Sequence, residues 1–566
     1  MNENNKIKFT QLPRVLSKLE KRIVIVLIAA AITGTAWWGY DYYIKSTQKV
    51  PKKGGVYTEG FVGQPKFVNP IIAQANTVDM DITELVYSSL IKYDANNNIV
   101  LDLAESYEIS EDAKEFTIRL KKNLKWHDGE PFKADDVIYT VQSIQNQSLQ
   151  SSLKSNFDKT TAEKIDDDTV KFSLKEPYSP FITNLTFGIL PKHIWELIEP
   201  ANIPLAELNL QPIGTGPYKF KEFQKNKIGE IKTYTLELNE DYYRDKPYIE
   251  KVNLNFYQTK EELAAALEDK KIDGLAYDSE TQEIVETMEW LNKYAMKLPR
   301  YNAVFINYGN NEDLEFKKVR EALQKAIDKK DLTDKTFNGK VDIVNEPILE
   351  NFTGYNPELK TFEYNLSESN DILHNAGWNE VDENGYRKKE GKILEFTLSV
   401  SDFEEHVNVA KYLQEKWKEI GVKINIETFS PADIQEKIRQ REYDMILFGQ
   451  VTGHDPDPYP FWHSSQRQEP GLNLTSMKDE DIDKLLEQAR ETADKDTRAE
   501  KYKDFQEKLT DNAVAIFLYS PRYLYAISDK IKGLDEGLIT KPSERFSEIN
   551  KWYIKTKREK NSNFER

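Results

Sequence analysis

In "ILEFTLSV" (393–400), Leu394, Phe396, Leu398 and Val400 occupy every second position. That is the period of a strand with one buried face. The period then changes. Ala410, Leu413, Trp417 and Ile420 fall on one helical face, Ser401 and Glu404 have capping-box spacing, and Gly421 suits a helix C-terminus. "VKINIETF" (422–429) alternates again, and Ser430-Pro431 opens a second helix with Pro at its first position. "YDMILFG" (443–449) is a short apolar run, suited to a strand covered on both faces. The pattern predicts β-α-β-α-β, a wound α/β lobe. "EFTIRL" (115–120) and "DTVKFSL" (168–174) alternate at period two between turn residues and predict an antiparallel, α+β region.

A different pattern begins at Ile23, where no charge occurs until after Tyr40. Eighteen helical residues rise about 27 Å, close to the roughly 30 Å of a bilayer's hydrocarbon core. Trp37, Trp38, Tyr40, Tyr42 and Tyr43 close the run as an interfacial belt does. Lys6, Lys8, Arg14, Lys18, Lys21 and Arg22 precede it, so the positive-inside rule predicts a cytoplasmic N-terminus, with residues from about 45 onward outside. A cleaved export signal is the competing reading. Gly34-Thr35-Ala36 is a passable cleavage site, but Trp37 is unattractive after it. We read 1–22 as a basic cytoplasmic tail, 23–44 as a transmembrane anchor and the polar, Pro- and Gly-containing 45–53 as a linker. The body then sits on the extracytoplasmic face of the cell membrane as a single-pass protein.

Composition narrows the chemistry. The net charge is −17, and residues 1–50 contribute +5, which leaves about −22 for the body. An acidic body argues against nucleic-acid binding, which needs clustered Lys and Arg. With no cysteine among 566 residues, disulfides, a catalytic thiol, thiolate-bound zinc and a lipid-modified cysteine are excluded. No GxxxxGK[ST] phosphate loop, Gly-x-Ser-x-Gly elbow or His-Glu-x-x-His occurs.

Three clusters invite a metal reading. "WHDGEPF" (126–132) offers His127, Asp128 and Glu130, but a turn at Asp128-Gly129 leading into a helix explains it fully. Asp166-Asp167-Asp168 lacks the Gly and distal Glu of an EF-hand and reads as a solvated turn. "GQVTGHDPDPYPFWHSS" (449–465) holds His454 and His463, nine residues apart across prolines with no evident third ligand. It begins where the last strand of the wound lobe ends. Ligand sites in open α/β sheets lie just beyond such carboxyl ends, so this loop is a pocket candidate.

Six stretches carry a resemblance. "GGVYTEGFVGQPKFVNPIIAQANTVDMDITELVYSSLIKYD" (54–94) is similar to the opening of the family-5 extracellular solute-binding proteins, the peptide- and nickel-binding components of ABC importers. "LAESYEISEDAKEFTIRLKKNLKWHDGEPFKADDV" (103–137), "PIGTGPYKF" (212–220), "KKIDGL" (270–275), "VFINYGNNEDLEFKKVREALQKAID" (304–328) and "YDMILFGQVTGHDPDP" (443–458) follow in that family's order. The likeness spans about Gly54 to Tyr553.

It implies an α/β, two-lobed, periplasmic-binding-protein-like clamshell (class II) with an inserted α+β domain. Lobe I would be 54–98, 212–304 and 515–556, the insert 99–211, lobe II 305–514, and 557–566 a tail. It implies a monomer that is no enzyme and needs no cofactor. Such a protein captures a peptide or other small solute between its lobes and hands it to ABC permease subunits. Matched positions put Gln74 and Asn76, then Tyr301, Phe305 and Asn307, then Tyr519 and Arg522 in the ligand wall. Arg522 is suited to a carboxylate.

The loop departs from the peptide-binding pattern. Gln450 or Val451 stands where Trp is usual. Gly453 or His454 stands where the Asp that pairs with a ligand's α-amino group is usual, and Asp455 follows one residue on. Capture of a free N-terminus therefore depends on Asp455. A non-peptide solute (metal chelate, haem or oligosaccharide), an anchored ligand sensor and a secreted metal-dependent hydrolase remain the alternatives.

Overall fold

The computed structural model describes residues 17–560. The basic residues Lys6, Lys8 and Arg14 and the end of the expected tail (561–566) lie outside the described residues.

Two sheets organise the body. A seven-stranded sheet, lobe I, runs in the order Leu291–Lys297, Arg522–Ser528, Gly274–Ala276, Val56–Val62, Lys251–Tyr257, Ile231–Leu238, Tyr218–Lys225. A six-stranded sheet, lobe II, runs Asp342–Ile343, Ala515–Ser520, Arg300–Ile306, Met445–Val451, Glu395–Ser401, Lys423–Phe429. The wound motif read from 393–449 is present: Glu395–Ser401 pairs parallel with both Lys423–Phe429 and Met445–Val451. Helices Glu404–Glu419 and Pro431–Gln440 connect them, burying Ala410, Leu413 and Trp417 on one face. The expected capping box at Ser401 and Glu404 does not form. Ser401 Oγ instead meets His406 Nδ1 at 2.6 Å, and Phe403 occupies the cap without a side-chain bond. Ser430 does cap the second helix through Asp433 N–H, with Pro431 at its first position.

Between the lobe I segments lies a four-stranded antiparallel sheet, in which Glu115–Leu120 pairs with Thr169–Leu174. Its apolar face shares one continuous core with lobe I: Phe116, Trp126 and Phe181 belong to the cluster that contains Tyr57 and Leu254. Lobe II has separate cores built on Trp417 and on Trp462. Lobe I and the insert therefore share one close-packed core, and the cores of lobe II are separate from it.

His127 shows how the insert is fixed. Its Nδ1 accepts from Gly214 N–H at 3.2 Å and its Nε2 donates to Gly216 carbonyl at 3.1 Å. That pattern needs the neutral ring, and burial pushes its pKa down to about 4. Gly214 and Gly216 are required by space: a Cβ on either would overlap the Val86 carbonyl. His127 of "WHDGEPF" thus has the structural role expected of that segment.

The chain crosses between sheets twice, and both crossings read Pro-Arg-Tyr: Pro299-Arg300-Tyr301 and Pro521-Arg522-Tyr523. Arg300–Ile306 and Ala515–Ser520, at the expected boundaries 304/305 and 514/515, are both strands of the six-stranded sheet. Arg300–Ile306 pairs on both sides, with Met445–Val451 and Ala515–Ser520, inside the lobe II sheet. The apolar runs of these strands need cover on both faces, which only central strands receive. Proline carries no N–H for a ladder, so it suits the gap between sheets. Ser520 Oγ bonds Leu298 carbonyl at 3.3 Å and ties the two crossings together.

The N-terminal helix spans Lys18–Ser46 and buries no residue. Among the described residues it is the one helix long and apolar enough to cross a membrane. The segment expected to be a linker is not free. Thr47–Lys52 pairs antiparallel with Lys555–Lys560, from Thr47 opposite Lys560 to Lys52 opposite Lys555.

Candidate functional site

"VNPIIAQANT" forms the first wall. Asn69 carbonyl accepts from Ile72 and Ala73 N–H, closing a turn, and Asn76 Oδ1 accepts from Val78 N–H to cap helix Thr77–Val86. The helix has two faces. Val78, Ile82 and Leu85 pack inward, while Met80, Thr83, Glu84 and Tyr87, at i, i+3, i+4 and i+7, line a cavity of about 210 Å³. The insert supplies the opposite wall through Asn156, Asn184 and Phe187, and Thr540, Lys541 and Glu544 form the rim.

The cavity is polar in a specific way. Lys92 is buried, with Glu84 at 3.6 Å and Asp102 at 3.7 Å. Burial disfavours its charge, but Asp102 and Glu84 outweigh that and hold its pKa above the ordinary lysine value. It is an ammonium at neutral pH. Asp102 is itself fixed by Tyr243 OH at 2.6 Å. Thr83 Oγ1 and Tyr87 OH are buried and have no hydrogen-bond partner. Buried polar groups in folded proteins are nearly always paired, so these two hydroxyls are exceptions in residues that line the cavity.

The rim is fixed from behind. Arg545 is 1% exposed on its side chain and meets Asp81 at 2.7 Å and Glu59 at 2.9 Å. Tyr525 OH joins Glu59 at 2.8 Å. This buried triad bolts the segment Pro542–Phe546 to the helix and to the central strand Val56–Val62, and thereby places Glu544 at the cavity's edge.

Lobe II reaches the rim through the loop after Met445–Val451. His454 Nδ1 meets Asn97 Oδ1 at 2.9 Å and its Nε2 meets Glu544 Oε1 at 3.1 Å. Asn97 stands at positive φ (63°) at the tip of the turn joining Ile91–Tyr93 to Ile99–Leu101, where Asp94 accepts from Asn96 and Asn98 N–H. The "DANNN" run suits that turn, because Asn tolerates the left-handed conformation. Behind His454, Asp455 is bidentate to Arg498, and Asp457 is bound by Arg490 at 2.6 Å. Tyr178 of the insert faces this second pair, 5.2 Å from the Arg490 guanidinium.

The expected wall residues separate into groups. Gln74 lines the cavity, with its amide donating to Pro70 carbonyl at 2.6 Å. Asn76 is spent as the helix cap and on Gln64 carbonyl. Tyr301 and Phe305 are buried in the Trp462 core, and Tyr301 OH bonds Gln450 Oε1. Gln450 Nε2 is buried without a partner. Asn307 holds Arg441 carbonyl at 2.9 Å. Val451 is exposed, and Gly453 turns the loop at φ +70°. Tyr519 is buried and donates to Glu405 at 2.7 Å, while Arg522 of the seven-stranded sheet is paired with Asp342 of the six-stranded sheet. Only Gln74 and His454 thus come together at the cavity and its rim. Lys92, Thr83 and Tyr87 carried no motif. For Thr83 and Tyr87 the one sequence signal is the polar stripe opposite the apolar face of the helix, and Lys92, in the strand Ile91–Tyr93, has none.

His463 stacks on Tyr459 with centroids 4.1 Å apart and bonds Ser465, well separated in role from His454. No group of three or more potential metal ligands occurs among the described residues.

The bacterial extracellular solute-binding protein family 5 model matches residues 98–471. The oligopeptide-binding protein AppA of Bacillus subtilis is 27% identical over 557 residues, covering 95% of this chain and 98% of its own. The structure of that AppA in complex with a nonapeptide has a TM-score of 0.66 at 27% identity, covering 89% of this chain and 100% of that one. NikZ from Campylobacter jejuni in complex with Ni(L-His) has a TM-score of 0.67 at 27% identity, with the same coverage. A matched segment that spans well over half the chain and two sheets joined by paired crossings agree: this chain belongs to the bacterial extracellular solute-binding proteins of family 5, and it is a binding protein rather than an enzyme.

Proposed function

We propose that this chain is a membrane-tethered, extracytoplasmic receptor that captures short peptides between its lobes and delivers them to an ABC permease. The observation that carries the reading is the cavity between lobe I and the insert, whose rim residue Glu544 meets His454 of lobe II. Two unpartnered hydroxyls and a buried ammonium face a space that peptide carbonyls and a carboxylate can satisfy. Gln74, Thr83, Tyr87 and Lys92 bind, and His454 reports closure by docking on Glu544. AppA, crystallised with a nonapeptide, supports a peptide, while NikZ, equally similar, holds Ni(L-His). Asp455 is already satisfied by Arg498, so an ammonium-capturing carboxylate is not the centre of recognition. A ligand shifts the balance toward closure only by binding the closed form better.

The tether rests on helix Lys18–Ser46. It is exposed along its length, with Trp37, Trp38 and Tyr40 on its outer third. Its 29 residues extend about 43 Å, which leaves charged ends in both headgroup layers.

Native mass spectrometry of the full-length protein, released from detergent, tests the ligand. A distribution of added masses matching short peptides is expected. A single adduct with a metal isotope pattern would move the assignment to a chelate such as the one NikZ holds. A bare protein unshifted by a peptide mixture would end the peptide reading.

A further inference from the structure

The ribbon between anchor and body has a composition that its own stability does not explain. Thr47–Lys52 and Lys555–Lys560, with the adjoining Lys45 and Lys53, hold eight basic residues and one acidic residue, Glu559. The rest of the body is acidic. Lys49 lies directly opposite Arg558, and Lys52 directly opposite Lys555. Like charges facing each other across a strand pair destabilise it, and a lone two-stranded ribbon is marginal to begin with. Lys49, Lys52, Lys555 and Lys560 are exposed and have no carboxylate at ion-pair distance among the described residues. The positive-inside bias gives no reason for lysines on the outer flank.

The ribbon's position is fixed. It starts at Thr47, the residue after the helix ends, one turn beyond the exposed Tyr42 and Tyr43. Arg558 donates to Ile44 and Thr47 carbonyls at 3.3 and 3.1 Å and caps the negative end of the helix. At its other end the ribbon enters lobe I without slack, as Gly54 N–H bonds Tyr248 carbonyl at 2.7 Å. Height and tilt of the body are therefore set by this ribbon.

We infer that the ribbon is a seat for the anionic phosphate headgroups of the leaflet from which the helix emerges. The inference rests on the anchored reading above. Headgroup phosphates supply the counter-charge that Lys49, Lys560 and the opposed Lys52/Lys555 pair lack. The acidic body is repelled by the same surface, so the molecule stands on the ribbon with its cleft held away from the lipid.

The test is lysine labelling of the full-length chain in nanodiscs of phosphatidylcholine, with and without phosphatidylglycerol, read by peptide mass spectrometry. Labelling of Lys49, Lys52, Lys555 and Lys560 is expected to slow about fivefold in the anionic discs and to recover in molar salt. Exposed Lys227, on lobe I far along the chain, serves as the unaffected control. Replacing the four lysines by Gln is expected to leave disc incorporation intact and abolish lipid dependence of the distance from body to bilayer, read by energy transfer. Equal labelling in both lipids, with the chain incorporated, overturns the seat and leaves the anchor standing. A chain that co-purifies with neither disc overturns the anchor and the seat together.

Discussion

His454 lies flat on Tyr93, with ring centroids 3.9 Å apart and planes within 9°, across the junction of the two lobes. The same imidazole meets Asn97, Glu544 and Thr540, so one side chain from lobe II engages four residues of lobe I. A stacked pair contributes about 0.5–1.5 kcal/mol and each hydrogen bond about 1 kcal/mol net. His454→Ala is thus expected to disfavour the closed form by about 2 kcal/mol, raising the open-to-closed ratio roughly thirtyfold. Single-molecule energy transfer between labels on the two lobes measures that ratio. Ligand affinity should fall in parallel, because closed protein is the binding form. An unchanged ratio would mean that His454 does not hold the lobes together.

Asp455 and Arg498 form a bidentate pair whose side chains are 13% and 7% exposed. Removing one member leaves the other charged and buried, which costs about 3–5 kcal/mol. Asp455→Asn is expected to lower the denaturant midpoint of lobe II, and Asp455→Leu with Arg498→Met to recover most of the loss. The ratio of affinities for free and N-acetylated peptides should not move. A selective loss of affinity for free N-termini would return Asp455 to the role its place in the loop suggests.

The contrast between that suggestion and the observed pair shows what the sequence made legible. Local periodicity identified the wound lobe, because Leu394 to Val400 and Ala410 to Trp417 each bury one face against neighbours close in the chain. It also marked the loop at 449–465, and His454 does reach the rim. Arg498 lies 43 residues from Asp455 in the first turn of a polar helix, and no local pattern announces that the two meet. The ribbon was hidden for the same reason: the partner of Lys52 is Lys555. Composition read that stretch as a linker because Pro51 and the lysines oppose strand formation. Tyr301 and Phe305 were expected at the ligand because they sit near the crossing. Period-two alternation is absent in a strand covered on both faces, so the sequence did not tell which side faces a ligand.

Glu544 gives a pH dependence with a definite sign. Burial would raise its pKa, but His454, Lys541 and Thr540 N–H favour the carboxylate more strongly and hold it at about 2, against an ordinary 4.5. A depressed carboxyl contributes stability that is complete above the unfolded value and is lost as pH falls through the folded one. The contribution, about 3 kcal/mol, is expected to disappear between roughly pH 4.5 and pH 2. Glu544→Gln should be less stable than the parent at neutral pH, and the difference should shrink across that interval. Urea midpoints at stepped pH measure it. Parallel curves for the two proteins would contradict the assignment.

Tyr87 separates a ligand contact from a packing role. Its hydroxyl is buried against the cavity with no partner, while the ring is 3% exposed in the shared core of lobe I and the insert. Tyr87→Phe keeps the ring and removes only the orphaned oxygen. An unsatisfied buried polar group costs about 1–3 kcal/mol, so the unliganded variant should be as stable as the parent or more so. If a ligand supplies the missing partner, the variant loses that bond and affinity falls about five- to tenfold. Stability and affinity then move in opposite directions, which a residue that only packs cannot produce. Thermal unfolding of the empty protein and calorimetric titration with the peptides recovered from it measure the two quantities. Affinity unchanged beside raised stability would mean that the hydroxyl is a cost of the fold and that ligand binds away from this wall. A fall in both would mean that an internal bond was broken, and would place Tyr87 among the structural residues of lobe I.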